Sequence, residues 1–189
     1  MARYRRRRYY RKKSGRWAAN IQEIANTISP QGNTWSAAET ILSNPTQQPS
    51  YVSQTFTVKN MELNFNLDYE GYDTQTDVNL YEGITVYIMF VPQGMNITND
   101  YNIEHPEYIM AYKYIGSPTT ESIYYPNNSS NAPGQQYQPT RIKSRLARKL
   151  QSGDSIVLFV KGNLTGTPST SSTNRLRLSG VVRWWTKAN

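Results

Sequence analysis

Residues 61–70 read MELNFNLDYE, and the phase of this decamer decides the fold. Met61, Leu63, Phe65, Leu67 and Tyr69 alternate with Glu62, Asn64, Asn66, Asp68 and Glu70, so one side is apolar and the other polar. That period of two is the pattern of a half-buried antiparallel strand. Phe56 and Val58, just upstream, sit in the opposite phase. A strand cannot change faces without an extra residue, which predicts a bulge or bend near Lys59 and Asn60.

Outward from this strand, the same reading continues toward the C-terminus. Tyr81 to Val91 (YEGITVYIMFV) is apolar on both faces in its second half and is closed by Pro92-Gln93-Gly94, which predicts a central strand. Tyr108 to Ile115 is another, and Ile123 to Tyr125 makes a short one before the outward-facing loop of residues 126–139. Thr140 to Leu150 is ambiguous, because Ile142, Leu146 and Leu150 also fit a helix. The preferred strand reading puts Arg141, Lys143, Arg145 and Lys149 on one face and leads through a turn at Gln151-Ser152-Gly153-Asp154 into a strand at Ile156 to Lys161. Residues 162–174 read as a polar loop. In the last strand, Arg175 to Thr186, Leu176, Leu178, Val182 and Trp184 share one face and Arg175, Arg177 and Arg183 the other.

Toward the N-terminus the period changes. Trp17, Ile21, Ile24 and Ile28 recur at helical spacing, which predicts a short amphipathic helix ending before Pro30. Ser36-Ala37-Ala38-Glu39 has the form of a capping box. Three segments result: an arm over residues 1–16, a linker with a short helix over 17–50, and a β domain over 51–189. About eight strands without alternating helices predict an all-β, antiparallel two-sheet sandwich, with a jelly roll as the leading version.

The arm, MARYRRRRYYRKKSGR, carries Arg3, Arg5, Arg6, Arg7, Arg8, Arg11, Lys12, Lys13 and Arg16, nine of the chain's 21 basic residues, and no acid. Such a block repels itself and needs a polyanion. Each Arg or Lys that neutralises a phosphate releases counterions, so binding is sequence-independent and salt-sensitive. Tyr4, Tyr9 and Tyr10, with Trp17 just beyond, are interleaved with the charges and suit stacking on unpaired bases. Short Lys/Arg runs also resemble nuclear import signals. Residues 17–140 hold only Lys59 and Lys113 against 12 acids, whereas residues 141–189 hold ten basic residues against Asp154 alone. The folded part is therefore expected to be dipolar, with its basic region built from the last third. Were the two basic strand sides, Arg141, Lys143, Arg145 and Lys149 on one and Arg175, Arg177 and Arg183 on the other, to lie next to each other, they would form one continuous positive patch.

Enzymatic chemistry finds no footing. There is no cysteine, and the single histidine, His105, has two neighbouring carboxylates but no second nitrogen ligand. No nucleophile motif, P-loop or G-x-G-x-x-G is present. No catalytic residue, metal ligand or cofactor is assigned, and no apolar run approaches a membrane span.

The start MARYRRRRYYRKK, the segment RLARKLQSGDSI at residues 145–156 and the ending LSGVVRWWTKAN together resemble the capsid protein of small circular single-stranded DNA viruses, the circovirus-like group. The resemblance implies a jelly roll assembling as sixty copies into a small icosahedral virion shell. Its arm would lie inside on the genome and direct import into the host nucleus. Sixty such arms would neutralise on the order of 540 phosphates. Stacking and phosphate contacts serve DNA and RNA alike, so DNA enters through the resemblance only. The alternative is a monomeric single-stranded nucleic-acid-binding β-barrel with a basic tail; a carbohydrate-binding sandwich leaves Arg5 to Arg8 without a purpose.

Overall fold

The structure, a computed structural model, describes residues 16–28, 34–45, 55–70, 81–116, 139–164 and 175–188. Its strands are β1 (Ala18–Ile28), β2 (Thr34–Ser43), β3 (Phe56–Glu70), β4 (Tyr81–Val91), β5 (Ile109–Gly116), β6 (Thr140–Lys143), β7 (Arg148–Leu150), β8 (Ser155–Leu164) and β9 (Arg175–Ala188). A single-turn helix, α1 (Tyr101–Glu104), and a 3-10 turn (Pro106–Tyr108) separate β4 from β5. One sheet has the order β1-β9-β3-β6, with β7 also pairing β3; the other has the order β2-β8-β4-β5. Every pairing is antiparallel. Because β6 and β7 share one edge position, the described strands fill eight positions. The first and last strands are neighbours, and the chain passes between the sheets as in a jelly roll.

The fifteen-residue β3 lies inside the first sheet, between β9 and the β6/β7 edge. Val58, Met61, Leu63, Phe65 and Leu67 from it share one core with Ile84, Val86 and Ile88 of β4 and Ile156, Leu158 and Val160 of β8. The bulge falls where the phase change demanded it. Val58 and Met61, three residues apart, are both fully buried. The register against β9 shifts between Lys59 and Glu62, and Asn60 takes φ of 50°, a left-handed conformation that asparagine adopts more readily than most residues.

The bulge also explains the break in the strand expected at Thr140 to Leu150. β6 pairs with Glu62 to Phe65 and β7 with Phe56 to Val58, leaving residues 144–147 to span the distorted stretch. Ser144 holds this span: its N–H donates to the Met61 carbonyl at 2.8 Å and its hydroxyl to the Met110 carbonyl at 3.0 Å. No helix forms there. Leu146, a residue on the apolar side of that alternative, is exposed.

The expected helix over Trp17 to Ile28 is instead β1, paired residue for residue with β9 from Ala18↔Thr186 to Ile28↔Leu176. Pairing with β9 satisfies every other backbone group of the segment and buries Ile24, and this tertiary gain overrides a helical spacing that rested on four residues. Ser36 to Glu39 likewise lies inside β2 rather than capping a helix. The sandwich thus begins at Ala18, and residues 17–50 contribute a strand to each sheet rather than a linker. Ile123 to Tyr125 and nearly all of the loop at 126–139 lie outside the described residues, as do residues 165–174 of the polar loop.

β4 is apolar on both sides because both sides are covered. Its outer residues Met89 and Val91, with Val157 and Phe159 of β8, pack under Tyr101, Met95 and Tyr108 of the connection to β5. The expected turn at Gln151–Asp154 closes with Asp154 N–H donating to the Gln151 carbonyl at 3.1 Å and Gly153 at φ of 87°. The Asp154 carboxylate accepts from Gln93 N–H at 3.0 Å and Gln151 N–H at 2.7 Å, tying the β7–β8 turn to the end of β4. Asn44, after β2, joins the same node through Asn44 N–H to the Asp154 carbonyl at 2.8 Å.

Candidate nucleic-acid interface

Alternation along β3 and β9 sends every second side chain away from the core, and the outer face of the β1-β9-β3-β6/β7 sheet collects the cations of the last third. Cross-strand register sets them in rows. Lys187 and Lys149 flank Thr57. Arg183 and Lys143 flank Glu62, and Arg141 lies beside Asn64. Arg177 pairs with Asp68 in register. Rows on one face recur about every 7 Å along a strand. Lys59 and Arg145 complete the set, Arg145 lining a recess with Trp185 and Lys143. Eight basic residues therefore share one face, and Lys143, Arg145, Lys149 and Lys187 have no acidic partner among the described residues.

The two basic strands do not neighbour each other, so the condition on which they would form one continuous patch is not met. β3 runs between them, and it carries Glu62 into the middle of the face. Glu62 Oε2 accepts from Arg141 at 2.8 Å, and Arg183 lies 3.7 Å from Oε1. The Arg141 hydrogen bond, with a further one from Asn64 at 3.3 Å, holds the Glu62 carboxyl below the usual glutamate range. Both arginines remain more than half exposed, so these surface pairs are worth about 0–1 kcal/mol each. Their consequence is electrostatic rather than stabilising: one carboxylate offsets part of the charge of two guanidinium groups.

Arg141, Lys143, Arg145, Lys149, Arg177 and Arg183 are thus brought onto one face, and Arg175 opens β9 on the same sheet. Sequence reading missed Lys187, although it is in phase with Arg183. It missed Lys59 because the bulge changes the phase at that point. The arm residues Arg3, Tyr4, Arg5, Arg6, Arg7, Arg8, Tyr9, Tyr10, Arg11, Lys12 and Lys13 lie outside the described residues. Its root does not: Arg16 is exposed, and the ring of Trp17 sits 3.9 Å from Lys59 Nζ. The chain therefore enters the body at the cationic face.

The opposite side differs. Asp100, Glu104 and Glu107 lie on the connection that covers the other sheet; Asp100 pairs with Lys161, and Glu104 accepts from Thr98 at 2.7 Å. His105 is packed between Tyr101 and Tyr108, with ring centroids at 5.0 and 5.4 Å, and its Nδ1 lies 3.3 Å from Glu107. Among the described residues no three His, Cys, Asp or Glu side chains are grouped as metal ligands. No described helix is long and apolar enough to cross a membrane.

No family model and no curated protein matches the chain. Among solved structures the chain is similar to one described as Desmodium yellow mottle tymovirus, at 12% identity and a TM-score of 0.33, over 91% of this chain and 89% of that chain.

Proposed function

We propose that the chain is a viral capsid protein that self-assembles into a closed shell and packages a single-stranded DNA genome. The observation that carries the proposal is the excess of positive charge on one outer face of the sandwich: eight basic residues gather there with Glu23, Glu62 and Asp68 among them by register, while Asp100, Glu104 and Glu107 lie over the other sheet. A tile of this kind presents its cationic face to an enclosed polyanion and its opposite face to the exterior. Trp17, at the start of the described chain, lies against Lys59 of the cationic face, and the reading gives the nine basic residues of the arm the same polyanion to bind. Binding through these groups is electrostatic and independent of base sequence.

Assembly into a homo-oligomer, sixty copies in the icosahedral form, requires lateral contacts. Among the described strands β5 lies at an edge, and it exposes Tyr112 and Tyr114, at 67% and 60%, which is suited to burial against a second copy. The arm doubles as a nuclear localisation signal read by host import machinery, which places assembly in the nucleus and the product in the virion. Electron microscopy of the expressed full chain, with the enclosed nucleic acid extracted and typed by nuclease, tests the proposal. Uniform closed particles that hold DNase-sensitive strands are the expected result. A monomer at high concentration, free of nucleic acid, overturns it.

A further inference from the structure

On the cationic face, the bulge of β3 and the span between β6 and β7 leave an open recess of about 230 Å³ lined by Asn60, Glu62, Lys143, Arg145 and Trp185. We infer that this recess takes one unpaired nucleobase, stacked on the Trp185 indole, with the flanking phosphates on Lys143 and Arg145. The inference rests on the proposed nucleic-acid reading and assigns it a particular seat on the body, separate from the arm.

Six observations carry it. Trp185 is 37% exposed, and among the described residues neither a cation nor a ring is in contact with its indole. Its register partner Lys59 places its ammonium over Trp17 instead. Lys143 and Arg145, with no acidic partner among the described residues, line the recess. Glu62, the only acid in its lining, is hydrogen-bonded to Arg141, which tempers its repulsion of a phosphate. The volume falls below the roughly 300–1,000 Å³ of sites for drug-sized ligands, which fits a single planar ring rather than a longer segment. The Asn60 amide can donate and accept, so any base edge finds a partner there.

The test measures binding of fluorescent oligothymidylate, and of the same oligomer with abasic sites, to nucleic-acid-free full-length protein at several salt concentrations. Trp185→Ala is expected to weaken oligothymidylate binding about 5- to 160-fold with the salt slope unchanged, because stacking is not an ionic contact. Trp185→Phe retains most of the affinity and shows that folding is not at issue. On the abasic oligomer the gap between wild type and Trp185→Ala closes. Lys143→Ala with Arg145→Ala instead flattens the salt slope by about 1.4. Equal oligothymidylate binding by wild type and Trp185→Ala, or a gap that persists on abasic strands, overturns the inference while the general reading stands. Absence of salt-dependent binding by wild type overturns both.

Discussion

Replacing Glu62 by Gln should make the protein a tighter binder of single-stranded nucleic acid. Glu62 is the acid within contact of Arg141 and Arg183, at 2.8 and 3.7 Å, and the amide retains the side chain's shape while removing its charge. A single-strand phosphate contact adds about 0.7 to the slope of log affinity against log salt. At 0.15 M salt, one added contact corresponds to about a fourfold gain, and two, if both arginines reach phosphates, to about fifteenfold. Fluorescence anisotropy of a labelled oligomer over a salt series reads affinity and slope together. An increase in slope of about 0.7 to 1.4 is expected, with thermal stability nearly unchanged because the ion pairs are surface pairs. Identical slopes for wild type and variant would refute the account, since they would mean that strands do not reach the middle of this face.

The same carboxylate fixes a pH dependence. Its folded pKa lies below the usual glutamate value, so its small contribution to stability is complete above that value and is lost as pH falls through the lower, folded one. At neutral pH it is always ionised. Wild-type binding should gain what Glu62→Gln gains only under acid conditions, and the variant should lack that acid step.

Deleting residues 1–16 should lower the salt slope by up to about 6, from nine lost cations. Circular dichroism should show the sandwich intact, since β1 begins at Ala18. Asp154→Ala strands the N–H groups of Gln93 and Gln151 and should cost about 2–4 kcal/mol in denaturant unfolding; a loss under about 0.5 kcal/mol would mean that this node is not structural. Tyr101 is fully buried, and burial, with Tyr108 and Glu107 adding to it, pushes its phenol up to about 12. A raised folded value means stability is complete below the free-tyrosine value of about 10 and falls as pH rises toward 12. Ultraviolet titration should show one tyrosine ionising late, and Tyr101→Phe should remove that step.

β3 and β9 were legible because each alternates over enough residues to fix its faces. Met61 to Leu67 named the core, and the reversed phase at Val58 located the bulge to within two residues. β1 was not legible. Its outward residues Trp17 and Ile21 are apolar, so alternation was hidden and the spacing of Ile21, Ile24 and Ile28 imitated a helix. For Trp17 the partner lies off the segment, in Lys59 of β3; Ile21 is exposed. Six of the eight basic residues on the cationic face were legible as well, but not Lys59, Lys187 or the arrangement of the set. Which strands neighbour one another is a property of topology, and it was topology that put β3 and Glu62 between the two basic strands.

Topology also joins the arm to the basic third of the chain, which sequence distance would keep apart. In this strand order the first and last strands pair along their whole length, so whatever precedes β1 leaves from the sheet that holds β9. β6 and β7 reach that sheet by pairing the other side of β3. The residues after 140 thereby deliver Arg141, Lys143, Arg145, Lys149, Arg177, Arg183 and Lys187 to one face. Gly180 lets the sheet close: a Cβ there would meet the Asn64 carbonyl at 2.3 Å and the Phe65 side chain at 2.7 Å. With Gly180 opposite Phe65, β9 and β3 run together along the sheet, bringing Arg183 into line with Glu62 and Trp185 with Lys59. The cationic surface is therefore a consequence of the pairing pattern, and a substitution that disturbs the β3–β9 register should scatter these charges even where it spares every one of them.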